Sequence, residues 1–382
     1  MIDFIPHRCP SYLYKRAGCR LCVESCPERC MEFKDNAVLI KEEQCNSCGI
    51  CTAACPSGAL ILHGFNDRDL WGRLRNITKD REYIVFTCSS GENFKPAKFK
   101  KGSCLIALPC IGTLKDSHLI GLFRYGAKEV WLSPSCKECL SIEGRRVLIQ
   151  TAGHAGNLLK SLCIDGTIVI SEDLPAVDKG KEIKPAVILP APHYSRRGFL
   201  TMFKNMAETI YRTALDEDKE NTPLPDAGIP EKRQLLIEIL EGFVKTVKPI
   251  LKGEFSIYRI GINDNCTLCN ICGLFCPTGA LKRIEDEEKV RIDFRISSCV
   301  GCFQCEELCP DKALYSLNTI DFKSFLDREI KTLYQKEMVI CPECENPYLP
   351  IAGSDICISC RKKKDMEKGF FEMMGIGGYG NE

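Results

Sequence analysis

Histidine and tryptophan are scarce in this chain of 382 residues, with five and two copies, and the histidines are scattered. That leaves no histidine metal triad and no Ser/His/Asp grouping for nucleophilic catalysis. No glycine-rich strand–turn–helix signature for a nucleotide cofactor is present, because the run Gly375–Gly380 lies in a tail. No apolar stretch is long enough to span a bilayer, and the start, Met1 to Cys9, has no apolar core of signal-peptide length. Ser195-Arg196-Arg197 resembles a twin-arginine signal, but it sits in mid-chain before an amphipathic stretch and reads as a helix start with Ser195 as N-cap. A cytoplasmic protein without a transmembrane segment is expected. An excess of one charge sign is also missing: the formal net charge is +1, and the single basic run Arg361–Lys364 reads as a solvated helix face.

Cysteine is what the chain has in excess, with 27 copies. Clustered cysteines in a chain without an export signal read as metal ligands rather than disulfides. Three segments align on a Cys-Pro step: Cys45–Leu60, Cys266–Leu281 and Cys299–Leu314. Each follows C-x2-C-x2-C-x3-C-P, the spacing in which three thiolates hold one 4Fe-4S cluster and the fourth holds its neighbour. A fourth copy, Gly18–Met31, is degenerate: Cys19, Cys22 and Cys26 fill the last three positions and Arg16 stands where the first cysteine belongs. Cys30 aligns with Ala59, Ala280 and Ala313, which marks it as filling a small apolar site. The missing ligand is then Cys9, across an enlarged loop, with Cys30 as the alternative.

Residues 1–66 and 254–320 each hold one such pair of repeats and resemble bacterial-type dicluster ferredoxins. The resemblance implies a compact unit with two short helices, two small antiparallel ribbons and ligands exchanged between halves. It implies that Cys45, Cys48, Cys51 and Cys26 hold one cluster, and Cys9, Cys19, Cys22 and Cys55 another. In the second module the implied sets are Cys266, Cys269, Cys272 and Cys309, and Cys299, Cys302, Cys305 and Cys276. Four such clusters at about −2 each, with further thiolate sites, bring the loaded chain to roughly −10, which argues against nucleic acid as a partner.

Between the modules, residues 78–178 alternate short apolar runs (83–87, 104–109 and 129–133) with helical stretches such as Asp116–Tyr125, the pattern of a parallel βαβ sheet. Cys88, Cys110, Cys136 and Cys139 follow these runs directly, so strand ends would bring them to one edge, where ligands of open parallel sheets bind. Four thiolates there suit a 2Fe-2S cluster; a redox-active Cys136/Cys139 disulfide or a zinc ion fits the same residues. The pattern resembles the delta subunit of methyl-viologen-reducing hydrogenase, a carrier of electrons from hydrogenase to heterodisulfide reductase through a 2Fe-2S centre. The Cys136-x2-Cys139 spacing is tighter than in that family, which leaves Cys104 as a substitute ligand. Cys163 reads as a core residue, and His154 lies near a turn without a ligand role.

Residues 179–253 read as a helical linker, with helices over Gly198–Leu215 and Glu231–Lys248, and a polar helix is expected over Asp321–Gln335. In 337–364, Cys341-x2-Cys344 and Cys357-x2-Cys360 form two knuckles of a zinc-ribbon-like site for one Zn, or a mononuclear Fe, before a tail at 365–382. The expected protein is multidomain, α+β and α/β: two dicluster modules, a central parallel sheet and a four-Cys ribbon. It would be the electron-transfer subunit of a cytoplasmic oxidoreductase complex in an anaerobe. Such a subunit relays electrons between a donor such as hydrogenase or formate dehydrogenase and a flavin- or disulfide-reducing partner. The alternative is a disulfide- or sulfur-compound reductase with Cys136 and Cys139 as its redox pair.

Overall fold

The repeats in sequence become repeated ribbons in space. A computed structural model describes residues 2–14, 18–34, 37–88, 98–134, 142–173, 175, 177, 180–188, 228–243, 250–350 and 354–373. In the first module β1 (Ile2–Phe4) pairs antiparallel with β4 (Leu60–Leu62), and β2 (Met31–Lys34) with β3 (Ala37–Ile40). Two short helices, Leu21–Glu24 and Ile50–Ala54, each carry a middle cysteine of their run.

The central domain is built on β5 (Tyr83–Cys88), β7 (Ser103–Leu108), β8 (Glu129–Ser133), β9 (Thr167–Ile170) and β11 (Ala186–Val187). They form one parallel five-stranded sheet in the order β11-β7-β5-β8-β9. A separate two-residue pair, β6 (Lys98–Phe99) with β10 (Lys181–Glu182), flanks it. Both faces are covered, so β5 and β7 are buried almost end to end and read as continuous apolar runs rather than alternating ones. From β7 the chain crosses to β8 on the other side of β5, so the switch point lies at the carboxyl end of β5. Helix Ile142–Ser161 puts His154 in its interior rather than at a turn. Burial of Leu148, Ala152, Ala155, Leu158 and Leu159 carries the helix through Gly153 and Gly156, at a cost near 1 kcal/mol per glycine.

Helix Glu231–Glu241 leads toward the second module; residues 198–215, with the other expected linker helix, lie outside the described residues. The strands that follow are β12 (Ile250–Lys252), β13 (Arg259–Ile262), β14 (Leu281–Glu285), β15 (Lys289–Arg295), β16 (Leu314–Leu317), β17 (Thr319–Asp321) and β18 (Ile330–Glu337). β13 pairs with β16, and β14 with β15, around helices Ile271–Leu274 and Gln304–Leu308, repeating the first module. The polar helix expected over Asp321–Gln335 is only partly there. Asp321 caps a helix that stops at Leu326, Arg328 turns the chain with φ 56°, and β18 then adds a third strand to β15. Ladder bonds to β15 override the helical propensity of this charged stretch, in which Thr332 and Tyr334 favour a strand. A last hairpin, β19 (Val339–Ile340) with β20 (Pro347–Tyr348), precedes helix Ile358–Met373. No helix among the described residues is long and apolar enough to cross a membrane.

Candidate metal centres

Each Cys-Pro run folds through left-handed backbone positions that repeat irrespective of residue type. Three residues after the last cysteine, Arg29, Gly58, Gly279 and Lys312 all have φ between 47° and 68°. The residue before three of the four cluster helices is also left-handed, with Gly49, Asn270 and Phe303 at φ 56° to 82°; Arg20, before Leu21–Glu24, is not, at φ −129°. Alternating left- and right-handed residues turn successive N–H groups toward one point, the geometry of a nest for a negatively charged group. The Ala59 and Ala313 N–H groups donate to Cys55 Sγ and Cys309 Sγ at 3.3 and 3.2 Å.

The cysteines converge as crossed sets. Cys266, Cys269, Cys272 and Cys309 line a cavity of about 300 Å³. Cys276, Cys299, Cys302 and Cys305 line another of about 400 Å³. In the first module Cys9, Cys19, Cys22 and Cys55 line one of about 360 Å³. Cys9 reaches it because Pro6–Arg8 and Pro10–Leu13 form two short turns on either side of it. The fourth expected set is Cys26, Cys45, Cys48 and Cys51. Buried Cys51 faces the other three as well as Cys22. Cys30 joins this set rather than the Cys9 cavity: it is buried, with its Sγ 3.4 Å from Cys26 and Cys45 as a second sulfur neighbour.

Without metal these thiols oppose ionisation. Burial, and then neighbouring thiols, push Cys22 and Cys272 up to about 12. Burial also lifts Cys302 to about 12 and Cys299 to about 11, against backbone hydrogen bonds that lower them. Crowded buried thiols become a stable donor set when iron supplies the positive charge. Four sulfurs around one cavity, with N–H groups aimed at them, fit a thiolate-held cluster.

At the sheet edge, Cys88 ends β5 and Cys110 follows β7, both buried on neighbouring strands. Cys110 Sγ accepts from the Gly112 N–H at 3.3 Å. Cys136 and Cys139 lie outside the described residues. Cys104 pairs with Ile84 near the opposite end of the sheet, four residues from Leu108, which pairs with Cys88. At about 3.3 Å per residue that is roughly 13 Å away, too far to stand in for a ligand at the edge. Cys163 is exposed rather than core. It closes the helix Ile142–Ser161 with φ 54°, its N–H bonded back to Lys160, a turn geometry that points it away from the packed face.

Cys341, Cys344, Cys357 and Cys360 bring their sulfurs within 4.8 Å of one another, with Cys344 and Cys357 at 3.7 Å. A tetrahedral ion with metal–sulfur bonds near 2.3 Å separates its sulfurs by about 3.8 Å, so this set fits one ion rather than a cluster. Burial raises the Cys341 thiol, but hydrogen bonds from the backbone of Cys357, Glu343 and Cys344 overrule it and bring it down to about 6.

Two cations that the sequence reading passed over stand between the modules. Lys232 donates to the Cys55 carbonyl at 3.1 Å, and Arg233, buried, donates to the Ser256 carbonyl. Their signal in the sequence was position: two consecutive cations in the first turn after Pro230, the end of a helix where positive charge is unfavourable.

A 4Fe-4S dicluster domain family matches residues 15–59 and 265–313. The chain is 35% identical over 74 residues to pyruvate synthase subunit PorD of Methanocaldococcus jannaschii, which covers 19% of this chain and 70% of the relative. It is 29% identical over 90 residues to NADH-dependent phenylglyoxylate dehydrogenase subunit delta of Aromatoleum evansii, 23% of this chain and 85% of the relative. A third match, 32% identical over 72 residues, covers 19% of this chain and 14% of an archaeal-type glutamate synthase [NADPH] of Dehalococcoides mccartyi. Fold and cysteine sets define an iron–sulfur protein with two dicluster regions flanking a parallel sheet. The chain belongs to the 4Fe-4S dicluster ferredoxin family.

Proposed function

We propose that this protein is the iron–sulfur electron-transfer subunit of an oxidoreductase complex, with its cysteine sets arranged in series. The closeness of successive sets, near enough for their sulfurs to feel one another's charge, carries the reading. Cys272 neighbours Cys276, which belongs to the next set of the second module. Cys302 of that set neighbours Cys19 of the first module, and Cys22 neighbours Cys51 of the following set. Beside Cys51, Ile50 packs on Gly112, whose N–H holds Cys110 at the sheet edge. Clusters bound by these thiolates are one-electron carriers, so a row of them relays electrons rather than transforming a substrate. The side chains around them keep water out: Ile50, Leu268 and Val300 are buried beside cysteines.

In this reading Cys88, Cys110, Cys136 and Cys139 hold a 2Fe-2S centre, in keeping with the hydrogenase delta-subunit resemblance, and the C-terminal four-Cys set holds a structural zinc or iron. The partners are a donor such as hydrogenase or formate dehydrogenase and a flavin- or disulfide-reducing acceptor. Iron and sulfide analysis with electron paramagnetic resonance (EPR) of the anaerobically purified, reduced chain is the test. Four 4Fe-4S centres and one 2Fe-2S centre correspond to about 18 iron per chain. Zinc in the ferredoxin sets would overturn the reading. A Cys136→Ser chain that loses a disulfide-reducing activity but keeps its 2Fe-2S signal would make the central domain a thiol catalyst instead.

A further inference from the structure

The helix Glu231–Glu241 starts against its own dipole. Its N-terminal turn is the positive end, yet Lys232 and Arg233 occupy it and only Glu231 precedes them. Arg233 is 3% exposed, and its Nε finds no hydrogen-bond partner among the described residues. A guanidinium in that position costs stability unless negative charge lies nearby. Asp116 supplies part of it, but its carboxylate already accepts from the Ser256 hydroxyl and the Ser117 N–H. After Asp116, the next group that favours the charged guanidinium is the Cys299 sulfur, ahead of the Tyr258 hydroxyl. Lys232 sits at the first module in the same way, against the Cys55 carbonyl and within the field of the Cys55 sulfur.

Cys55 and Cys299 belong to the two sets that meet at the module interface, where Cys19 neighbours Cys302. The helix is fixed in place from three sides. Arg68 bonds Glu238 at 3.0 Å, Arg124 bonds the Glu238 carbonyl at 3.0 Å, and Arg328 bonds Glu241 at 3.2 Å. Its two cations therefore hold their positions relative to both sets.

We propose that Lys232 and Arg233 are positioning charges that raise the reduction potentials of the two inner 4Fe-4S clusters, one residue for each; this rests on the cluster assignment above. Reduction adds one electron to a centre and breaks no bond, so the added negative charge is stabilised by a fixed cation in a low-dielectric surrounding. The inner pair thus shares two fixed cations from one helix, whereas the cation in the field of the outer Cys266 set is Lys336 on β18.

The test is an EPR-monitored redox titration of the anaerobically purified full chain and of Arg233→Gln, Lys232→Gln and Arg233→Lys. Arg233→Gln is expected to lower the midpoint of one 4Fe-4S signal, by about tenfold in the reduced-to-oxidised ratio at fixed potential, or about 59 mV for one electron. Lys232→Gln lowers a different signal, and Arg233→Lys restores most of the first shift. Unchanged midpoints in both glutamine variants at full iron content would overturn the inference and leave the cluster assignment standing. Iron loss in Arg233→Gln that Arg233→Lys does not repair would assign Arg233 to packing and overturn its part, leaving Lys232→Gln to decide the other. Fewer than four 4Fe-4S centres in the unmodified chain would instead remove the assignment itself.

Discussion

In the second module both cysteine cavities are walled by two regular runs, whereas in the first one wall comes from Cys9, ten residues upstream of Cys19. The departure buys contact. Within the enlarged loop, Tyr14 lies against Phe275 of the second module with ring centroids 4.7 Å apart, and Gly18 approaches Glu307. The first module's other irregular point, Gly49 where its counterparts are Asn270 and Phe303, faces the sheet domain. The second module instead adds β18 to one ribbon and leaves Cys269 exposed. Irregularity within a repeat thus marks where the first module is joined on both sides.

The comparison is broken most severely at Cys9. Cys9→Ala is expected to cost about four iron per chain, the content of one 4Fe-4S cluster. Cys30→Ala should keep full iron, because Ala59, Ala280 and Ala313 occupy its position in the other repeats and are buried there. Iron analysis of the two variants reads this directly. The reverse result would move the first module's irregular ligand from the loop to the run itself.

Next in size is the joint between the first module and the sheet. Lys115 Nζ lies 2.6 and 2.7 Å from the two Asp67 carboxylate oxygens, and His118 meets the Asp67 carbonyl at 3.0 Å. Burial pushes the Asp67 carboxyl up, but the Lys115 ammonium, with His118 and Lys232, outweighs it and holds it below its usual value. Lys115→Met leaves a buried carboxylate short of its partner and is expected to cost about 3–5 kcal/mol in chemical unfolding. The sign with pH follows. In the native chain the lowered pKa gives stability that is full above the unfolded carboxylate value, about 3.9, and is lost as pH falls through the folded value. In the variant burial faces weaker opposition, the folded pKa rises, and protonation relieves the strain. The gap between the two proteins should therefore narrow as pH falls through the variant's raised Asp67 pKa. A gap that widened would mean that Lys115 acts through packing alone.

Much of this was legible because the repeat is written in covalent spacing. Cysteine positions fix the crossed sets and the turns between them, and the alternation of apolar runs gave the parallel sheet its central strands. What spacing does not carry is tertiary pairing. The stretch Ile330–Glu337 has a helix-compatible composition, and only β15 beside it decides for a strand. Cys163 resembled a core residue by composition, but the end of a helix exposes it. Lys232 and Arg233 carry meaning only once the module interface is assembled around them.

The finest break concerns one glycine. Gly49 has φ +82°, and its counterparts Asn270 and Phe303 adopt the same left-handed backbone at 72° and 56°, so conformation alone does not demand glycine there. Space does: a Cβ on Gly49 would lie 2.6 Å from Thr113 Oγ1 and 3.2 Å from Thr113 Cβ. Gly49→Asn is therefore expected to cost about 1–3 kcal/mol by overpacking. Thr113→Ala in the same chain should return most of it, a coupling that a double-mutant cycle by chemical unfolding measures. If Gly49→Asn costs the same with and without Thr113, the penalty is backbone strain. The first module would then touch the sheet without being shaped by it. If the two changes couple, the close approach that sets Ile50 on Gly112, beside Cys110, is what excluded a side chain from this copy of the repeat.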